Sequence, residues 1–235
     1  MNKIDVCLSP ELIHLYDVTD KIVIVVDILR ASSCMTVGID HGVASIRPFA
    51  DLEECRAMKK HNYYIAGERN GQKVEGFDLG NSPYDYRQAH LIDKKIAVTT
   101  TNGTVAIEKS KNAKMVVIGA FLNKKALAGF LKEKGTDTLI LCAGWKGKFN
   151  LEDTLFAGAM VEALQDQFQP SCDAPIAAMA LYMEGKKDLR SYLQGSSHMQ
   201  RLQNLGIERD IEYCLREDEL DCIPVLKGED IVRFS

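Results

Sequence analysis

The feature that most constrains the fold of this chain is a run of five β-branched residues, Ile22–Val26, bounded by Asp20 and Asp27. The run is too short for a buried helix, and its lack of polar alternation predicts a strand buried on both faces, as in a parallel sheet. Segments 95–110 and 138–164 repeat the order of apolar run, small-residue loop and helical pattern. Such alternation predicts an α/β fold with three layers, α/β/α, around a mainly parallel or mixed sheet.

The first two of these segments look like copies of one another. In each, a further strand and helix follow, predicted at 43–49 and 52–60 in the first copy and at 115–121 and 124–132 in the second. An offset of about seventy-one positions places Ser32 on Gly103, a spacing of the kind expected for an internal repeat. We expect a single α/β domain over residues 1–235, which the duplication would divide into two similar halves, about 1–90 and 91–235, that share one site.

The composition excludes several functional classes. A net charge of -4 with dispersed Lys and Arg gives no electrostatic footprint for nucleic acid or an anionic membrane. Seven cysteines without a CxxC pair predict a reducing compartment rather than a zinc or redox site. No apolar run approaches the ~20 residues that cross a bilayer. We therefore expect a cytoplasmic protein without nucleic-acid or membrane partners, in which the apolar stretch 175–183 is either core or the contact of a homodimer.

The loop after the first strand combines a carboxylate, a guanidinium group and two hydroxyl groups, from Asp27, Arg30, Ser32 and Ser33. Backbone N–H groups at a helix N-terminus bind anions, and Arg binds phosphate bidentately. Asp27 can hold Mg²⁺ or attack phosphorus. This loop therefore predicts a phosphate site, although the same residues also fit a strand end, a helix cap and a solvent-exposed arginine.

The loop at the equivalent point of the second copy is rich in hydroxyl and amide groups, which come from Thr101, Asn102, Gly103 and Thr104. Two helix N-termini that converge on one crevice favour an anion site. The third loop adds Lys146 as a possible second anion holder. Helix-dipole complementation alone also explains the acids at the start of the third helix.

Between the two copies lies an irregular segment, 67–83, with four glycines. It is too long for a simple turn, so we expect a functional loop. Its candidate metal ligands and anion-binding groups are Glu68, Arg69, Asp78, Asn81 and Ser82. A Glu–Arg surface pair is the plain alternative for its first two charged residues.

The histidines are scattered along the sequence, and none falls in these loops; they are His14, His41, His61, His90 and His198. We expect core, cap or surface positions and assign none to catalysis. Trp145 could line the pocket or simply pack.

Taken in order, these motifs resemble the 2-phosphosulfolactate phosphatase family. The matching segments are Val25–Ser33, Gly67–Arg69, Phe77–Pro83, Thr99–Thr104 and Glu152-Asp153 with Ala157-Gly158. The resemblance extends to the tail, through Ser197, Leu202, Leu205-Gly206, Asp210-Ile211 and Val225. It implies Mg²⁺-dependent hydrolysis of (R)-2-phospho-3-sulfolactate to 3-sulfolactate and phosphate, a step in coenzyme M biosynthesis. The expected partner is thus a small anionic phosphorylated organic acid.

This reading assigns roles to the loop residues. Mg²⁺ is expected on Asp27 and Glu68 with help from Asp78 or Asp153, and Arg30 stabilises transition-state charge. The nucleophile is either metal-bound water or Asp27. The expected substrate-binding residues are Ser32, Ser33, Arg69, Asn81, Ser82, Thr101, Asn102, Gly103, Thr104 and Lys146.

Other readings stay open at this stage. A haloacid-dehalogenase-type phosphatase also begins with a carboxylate after a β-branched strand, but it carries a second Asp two residues later, where this chain has Leu29. A non-catalytic sensor of phosphorylated acids would use the same anion cradle. A homologue could also act on a different phosphorylated hydroxy acid.

Overall fold

The computed structural model describes residues 1–234. This part of the chain forms one eleven-stranded sheet flanked by helices. The strands are β1 Asn2–Cys7, β2 Ile22–Val26, β3 Ser45–Pro48, β4 Tyr64–Arg69, β5 Gln72–Lys73, β6 Lys95–Thr99, β7 Met115–Gly119, β8 Thr138–Cys142, β9 Phe168–Pro170, β10 Pro224–Lys227 and β11 Asp230–Arg233. The α-helices are α1 Ala31–Asp40, α2 Leu52–Ala57, α3 Gly103–Lys109, α4 Lys124–Lys134, α5 Leu151–Leu164, α6 Asp173–Gly185, α7 Leu189–Leu193, α8 Ser197–Gln203 and α9 Glu208–Cys214. Short 3₁₀ turns occur at Pro10–Leu15, Met58–His61, Asp85–Arg87, Ala89–Leu91 and Phe121–Asn123.

Strand β2 shows why its run of β-branched residues has no polar alternation. Val23 and Val25 pack into the core on the side of α1, whereas Ile24 and Val26 pack into the core on the side of α5. Both faces of the strand are thus covered by helices, and the predicted three-layer α/β/α architecture is confirmed. The sheet is mixed, because β10 and β11 form an antiparallel hairpin within it.

The strand order has the symmetry expected of two related units. In the sheet, β4-β6-β3 lies on one side of the hairpin β11-β10, and β7-β2-β8 lies on the other. The two units in sequence are β2-α1-β3-α2-β4 and β6-α3-β7-α4-β8. The first strand of each unit pairs in parallel with the second strand of the other, as β2 with β7 and β6 with β3, so each group in the sheet contains a strand exchanged from the other unit. A twofold relation about the hairpin would therefore bring the turns after β2 and β6 into equivalent positions.

The two equivalent turns meet at the N-termini of α1 and α3. A Cβ atom placed on Gly103 would lie 2.9 Å from the Cβ of Ala31 and 2.9 Å from Oδ2 of Asp27. Helix α1 contacts β3, β7, β10 and β11, so the sheet curves around this helix. Twist that accumulates from strand to strand lets the carboxyl ends of β2 and β6 converge even though other strands separate them.

The C-terminal helices α8 and α9 cover the crevice where the strands end, and they contribute side chains to it. Beyond these helices, β10 begins at Pro224 and forms the hairpin with β11. No helix within residues 1–234 is long and apolar enough to cross a membrane.

Candidate active site

One small cavity lies where the turns after β2 and β6 meet the helix α8. It collects charged and polar groups from every part of the chain. Its lining residues are Asp27, Leu29, Arg30, Glu68, Gly71, Asn81, Asn102, Trp145, His198, Arg201 and Leu202. The crevice beyond the carboxyl ends of the strands is the expected binding place in an open α/β sheet.

The turn after β2 is held by its own hydrogen bonds. The Ser32 hydroxyl accepts from the Asp27 backbone N–H at 3.0 Å, and the Ser32 N–H donates to the Asp27 carbonyl at 2.9 Å. Ser33 donates its hydroxyl to the Ile28 carbonyl at 2.9 Å, and the Ala31 N–H donates to Asp27 Oδ1 at 3.3 Å. Both serines therefore shape the turn, and Oδ2 of Asp27 is the carboxylate oxygen without these bonds.

Arg30 is buried and oriented by two partners. Its guanidinium group pairs with Asp210 of α9 through Nη1 and donates to the Gly71 carbonyl through Nη2 at 3.2 Å. Asp210 also accepts a hydrogen bond from the Ser82 hydroxyl at 2.8 Å. Ser82 thus supports the Arg30–Asp210 pair, and the pair binds the first turn to the tail of the chain.

Glu68, at the end of β4, is held by its own loop and by the turn after β6. Its Oε2 accepts from the Gly71 N–H at 2.6 Å. Its Oε1 accepts from the Thr101 N–H at 3.1 Å and from the Thr101 hydroxyl at 2.8 Å. The neighbouring Arg69 donates to the Glu68 carbonyl at 2.7 Å and to Thr99 at 3.1 Å, so it supports the backbone beside the cavity.

Asp153 ties two loops together from below the cavity. It is fully buried, and its two oxygens accept from the Ile28 N–H at 2.9 Å and the Gly144 N–H at 3.0 Å. Burial, followed by the nearby charges of Glu152 and Asp27, raises its pKa well above the ordinary value. This carboxyl group organises the loops after β2 and β8.

His198 and Glu152 form a buried pair between α8 and α5. Nδ1 of the imidazole ring bonds Oε1 of Glu152, while Oε2 of Glu152 has no hydrogen-bond partner. The imidazole ring stacks on Trp145, with centroids 5.6 Å apart and planes inclined by 21°. The guanidinium group of Arg201, one helical turn further along α8, lies 3.4 Å from the centre of the same indole ring.

The surroundings of the cavity shift the pKa values of two of its charged groups. Burial raises the pKa of Asp27 to about 6, with smaller raising effects from Glu68 and Glu152, while the charge of His198 and the Ala31 N–H bond lower it. Burial lowers the pKa of Arg201, and Glu68 and Glu152 oppose that shift. The carboxyl groups of Asp27 and Glu68 line the cavity together, and a cation beside them would favour their charged forms.

The residues predicted from the sequence divide into three groups. Five of them line the cavity: Asp27, Arg30, Glu68, Asn81 and Asn102. A second group supports it through the bonds just described or through the turn at α3: Ser32, Ser33, Arg69, Ser82, Thr101, Gly103 and Thr104. The side chains of the third group do not line the cavity; they are Asp78, Asp153 and Lys146.

The structure gives this third group other partners. Asp78 pairs with Lys59 at 2.8 Å and accepts from the Ile65 N–H at 3.0 Å, so it lies outside the cavity. Both oxygens of Asp153 are taken by backbone N–H groups. Lys146 is exposed and lies with Nζ 5.3 Å from the Trp145 ring centre. None of these three side chains is therefore free to bind a ligand within the cavity.

Sequence reasoning missed the groups of α8 and α9, namely His198, Arg201 and Asp210. No histidine was expected in the site, yet His198 lines it. A usable signal was present: His198 and Arg201 are spaced i, i+3 behind the N-cap Ser196 and therefore share one helix face. Their link to the loops is tertiary, and sequence spacing does not reveal it.

The oxygen groups of the cavity fit a hard divalent cation. No cluster of three or more His, Cys, Asp or Glu side chains suited to a metal occurs within residues 1–234. Mg²⁺, however, usually takes only one or two carboxylates together with water and substrate phosphate. Asp27, Glu68 and the unpartnered Oδ1 of Asn81 supply such a set. The three hydrogen bonds that Glu68 accepts leave a lone-pair site free on its Oε2.

Comparison with known proteins places the chain in a family. Residues 7–229 match the family model described as 2-phosphosulpholactate phosphatase. A protein of Caldanaerobacter subterraneus subsp. tengcongensis is 40% identical over 225 residues, which cover 93% of this chain and 92% of that protein. A protein of Caldicellulosiruptor saccharolyticus is 38% identical, with 89% and 93% covered, and one of Microcystis aeruginosa is 35% identical, with 95% and 96% covered.

All three relatives bear the name probable 2-phosphosulfolactate phosphatase. The match extends across both strand-helix units and the tail that completes the cavity. This chain belongs to the 2-phosphosulfolactate phosphatase family.

Proposed function

We propose that this protein is a cytoplasmic, Mg²⁺-dependent phosphatase that hydrolyses (R)-2-phospho-3-sulfolactate to 3-sulfolactate and phosphate, a step of coenzyme M biosynthesis. The observation that carries the proposal is the cavity in which Asp27 and Glu68 face Arg30 and Arg201. Acids alone would repel a phosphate, and arginines alone would only hold it. Family membership and the names of the relatives support the same activity.

Arg201 is the group best suited to hold an anionic part of the substrate. It lines the cavity, and within the described residues it forms no ion pair with a carboxylate at contact distance. Arg30, in contrast, already shares its charge with Asp210. A substrate with phosphate, carboxylate and sulfonate groups needs several cationic partners, and Arg201 offers a planar guanidinium group that the protein leaves uncompensated.

Asp27 is the residue placed to begin the reaction. Its Oδ1 is held by the Ala31 N–H, and its Oδ2 faces the turn at Gly103. As a carboxylate it can attack phosphorus or remove a proton from the attacking water. Rapid acid quench with ³²P-labelled substrate separates the two routes, because only a phosphoenzyme on Asp27 would leave label on the protein before phosphate is released.

A bound cation would offset the carboxylates that line the cavity. Asp27 and Glu68 lie there with Arg30 and Arg201, but Arg30 already pairs with Asp210. Asp27, Glu68 and Asn81 would hold Mg²⁺, which would supply polarisation of the phosphoryl oxygens. Arg30 and Arg201 then orient the anionic ends of the substrate, and the Trp145 ring lines the same cavity.

A phosphate-release screen tests the proposal directly. Purified protein is assayed with phosphosulfolactate, 2-phospholactate and the phosphoglycerates, each with Mg²⁺ and with EDTA. We expect turnover of phosphosulfolactate with the highest kcat/KM and loss of turnover in EDTA. Binding of these acids without phosphate release would instead identify a sensor protein, and turnover that survives EDTA would contradict the metal requirement.

The variant Arg201→Gln tests the anion assignment in the same screen. We expect KM for phosphosulfolactate to rise about tenfold or more, because a hydrogen bond between charged groups contributes roughly 1.5–3 kcal/mol. Arg209→Gln is the matched control, since Arg209 lies over Tyr84 outside the cavity. An equal change in both variants would argue against a contact between Arg201 and substrate.

A further inference from the structure

His198 lies in the cavity with one ring nitrogen already committed. Nδ1 bonds Oε1 of Glu152, so Nε2 is the nitrogen left for a ligand in the cavity that the ring lines. The ring is fixed in orientation by its stack against Trp145. A carboxylate that accepts from one imidazole nitrogen sets the tautomer and directs the other nitrogen toward a reacting group.

The His198–Glu152 pair differs from a purely structural link between two helices in the hydrogen bonding of its acid. Glu152 is 0% exposed, yet its Oε2 has no hydrogen-bond partner. Burial of an unpaired carboxylate oxygen is costly, and a pair that only joined α8 to α5 would not need an acid that leaves one oxygen unused. The imidazole ring lines the same cavity as the carboxyl group of Asp27, which places His198 at the reacting centre.

The chemistry of the cavity calls for a proton donor. In the proposed reaction the C2 oxygen of the substrate leaves phosphorus as an alkoxide, which is a poor leaving group unless it is protonated. Leu29, two residues beyond Asp27, has no proton to give, and Arg30 and Arg201 bind anions as permanently charged groups. Asp27 is engaged with phosphorus or with the attacking water, so His198 is the lining residue within residues 1–234 left to give its ring proton to the leaving oxygen.

We propose that His198 is the general acid that protonates the leaving oxygen of the substrate, with Glu152 as its positioning residue. This inference rests on the proposed phosphatase function. As the bond from phosphorus to the C2 oxygen breaks, the electron pair stays on that oxygen, and the proton on Nε2 moves to it and forms the hydroxyl group of the product.

The remaining step restores the histidine. Water forms the new bond to phosphorus, either in the same step or after transfer of the phosphoryl group to Asp27. In the second case the bond from Asp27 to phosphorus breaks, and its electron pair returns to the carboxylate. It loses one proton, which the neutral imidazole accepts directly or by way of Asp27. The sum is substrate plus water giving alcohol plus phosphate, with no electron transfer and no proton left over.

Leaving-group dependence tests this role. His198→Gln is compared with the wild type on phosphosulfolactate, whose leaving alkoxide needs a proton, and on p-nitrophenyl phosphate, whose phenolate leaves without one. We expect kcat on phosphosulfolactate to fall about 10²–10⁴-fold, the usual contribution of general acid catalysis. On the aryl ester the loss should stay below about tenfold. Glu152→Gln should show the same discrimination with a smaller loss.

Binding supplies the second readout. The dissociation constant for 2-phospholactate, measured by calorimetry, should change little in His198→Gln, because Arg30 and Arg201 remain in place. His61→Gln, at an exposed histidine, is the matched control and should match the wild type throughout. Thermal melting checks that each variant is folded.

Two results would overturn the inference. The first is an equal loss of kcat on both esters in His198→Gln. The second is a loss of affinity for 2-phospholactate as large as the loss of kcat, and this result is decisive even if the protein does not turn over the aryl ester. Either would show that the pair merely anchors α8. Failure of the proposed function looks different, since the wild type itself would then release no phosphate from any of the acids.

Discussion

The turns after β2 and β6 occupy equivalent positions in the sheet, but they differ in chemistry. The first carries a carboxylate and a guanidinium group, on Asp27 and Arg30; the second carries hydroxyl and amide groups and Gly103. The first turn lines the cavity with its charges. In the second turn, Thr101 holds Glu68, and Gly103, which has no side chain, leaves room for Ala31 and Asp27 of the first turn.

This difference shows how a duplicated unit can make an asymmetric site. The two turns are in contact, so two identical charged turns would place like charges against each other, which is unfavourable in a buried cavity. With one turn charged and the other neutral, the second becomes a support for the first. The predictions below test that division of roles, beginning with the charged turn.

The largest effect is expected from Asp27→Asn. The amide keeps the shape of the side chain but can neither attack phosphorus nor accept a proton from water, so we expect kcat/KM to fall at least about 10³-fold. Asp78→Asn is the matched control, because this acid pairs with Lys59 away from the cavity; its activity should stay within about threefold of the wild type. Equal losses of kcat/KM in the two variants would show that Asp78 contributes to the active site.

The pH profile gives an independent view of the charged turn. Because the pKa of Asp27 is raised to about 6, kcat/KM should fall about tenfold for each pH unit below that value. Stability should move in the opposite direction. Between pH 3.8, the ordinary pKa of this carboxyl group, and about 6, the folded protein keeps a proton that the unfolded chain releases. The free energy of unfolding therefore falls as the pH rises through this range.

Thermal or urea unfolding measures that second effect. The full shift corresponds to no more than about 3 kcal/mol. Asp27→Asn removes it, so without Mg²⁺ the variant should be more stable than the wild type above pH 6 and lose this advantage near pH 4. A constant difference in unfolding free energy across this range would show that Asp27 titrates normally.

Gly103→Ala tests the contact between the turns. The added methyl group would lie 2.9 Å from both Ala31 Cβ and Asp27 Oδ2, so the turns must separate. Overpacking of this kind typically costs about 1–3 kcal/mol of stability, and the displaced Asp27 should lower kcat as well. Gly129→Ala in α4 is the control, since a Cβ there meets nothing within 4 Å and alanine favours a helix. A Gly103→Ala protein as stable and active as the wild type would show that the turns adapt independently.

The sequence was sufficient for the scaffold because local patterns determine it. The run at Ile22–Val26 predicted a doubly covered strand, which the structure confirms. The helical pattern at the end of segment 138–164 is confirmed as α5, and the Asn150 side chain caps its start by accepting a bond from the Asp153 N–H. Such signals depend on near neighbours in the chain, so sequence reasoning can use them.

The same reasoning could not assign the free groups of the cavity. Asp153 follows a cap and carries a charge, which suggested a metal ligand, but its oxygens are used by loops that only the tertiary fold brings close. His198 lies 46 positions from Glu152 along the chain. No period or motif joins two residues at that separation, so contacts of this kind appear only once the fold is known.

The smallest predicted effect comes from the neutral turn, in Thr101→Val. The substitution keeps the shape and the N–H bond to Glu68 but removes the hydroxyl bond of 2.8 Å. One hydrogen bond contributes about 0.5–1.5 kcal/mol, so we expect kcat/KM to fall roughly two- to tenfold, while Thr101→Ser, which keeps the hydroxyl, should stay near the wild type. A loss as large as that of Asp27→Asn would mean that Thr101 contacts the substrate, and the second turn would then share the chemistry. A modest loss that Thr101→Ser avoids would instead agree with a turn that acts on the substrate only through Glu68.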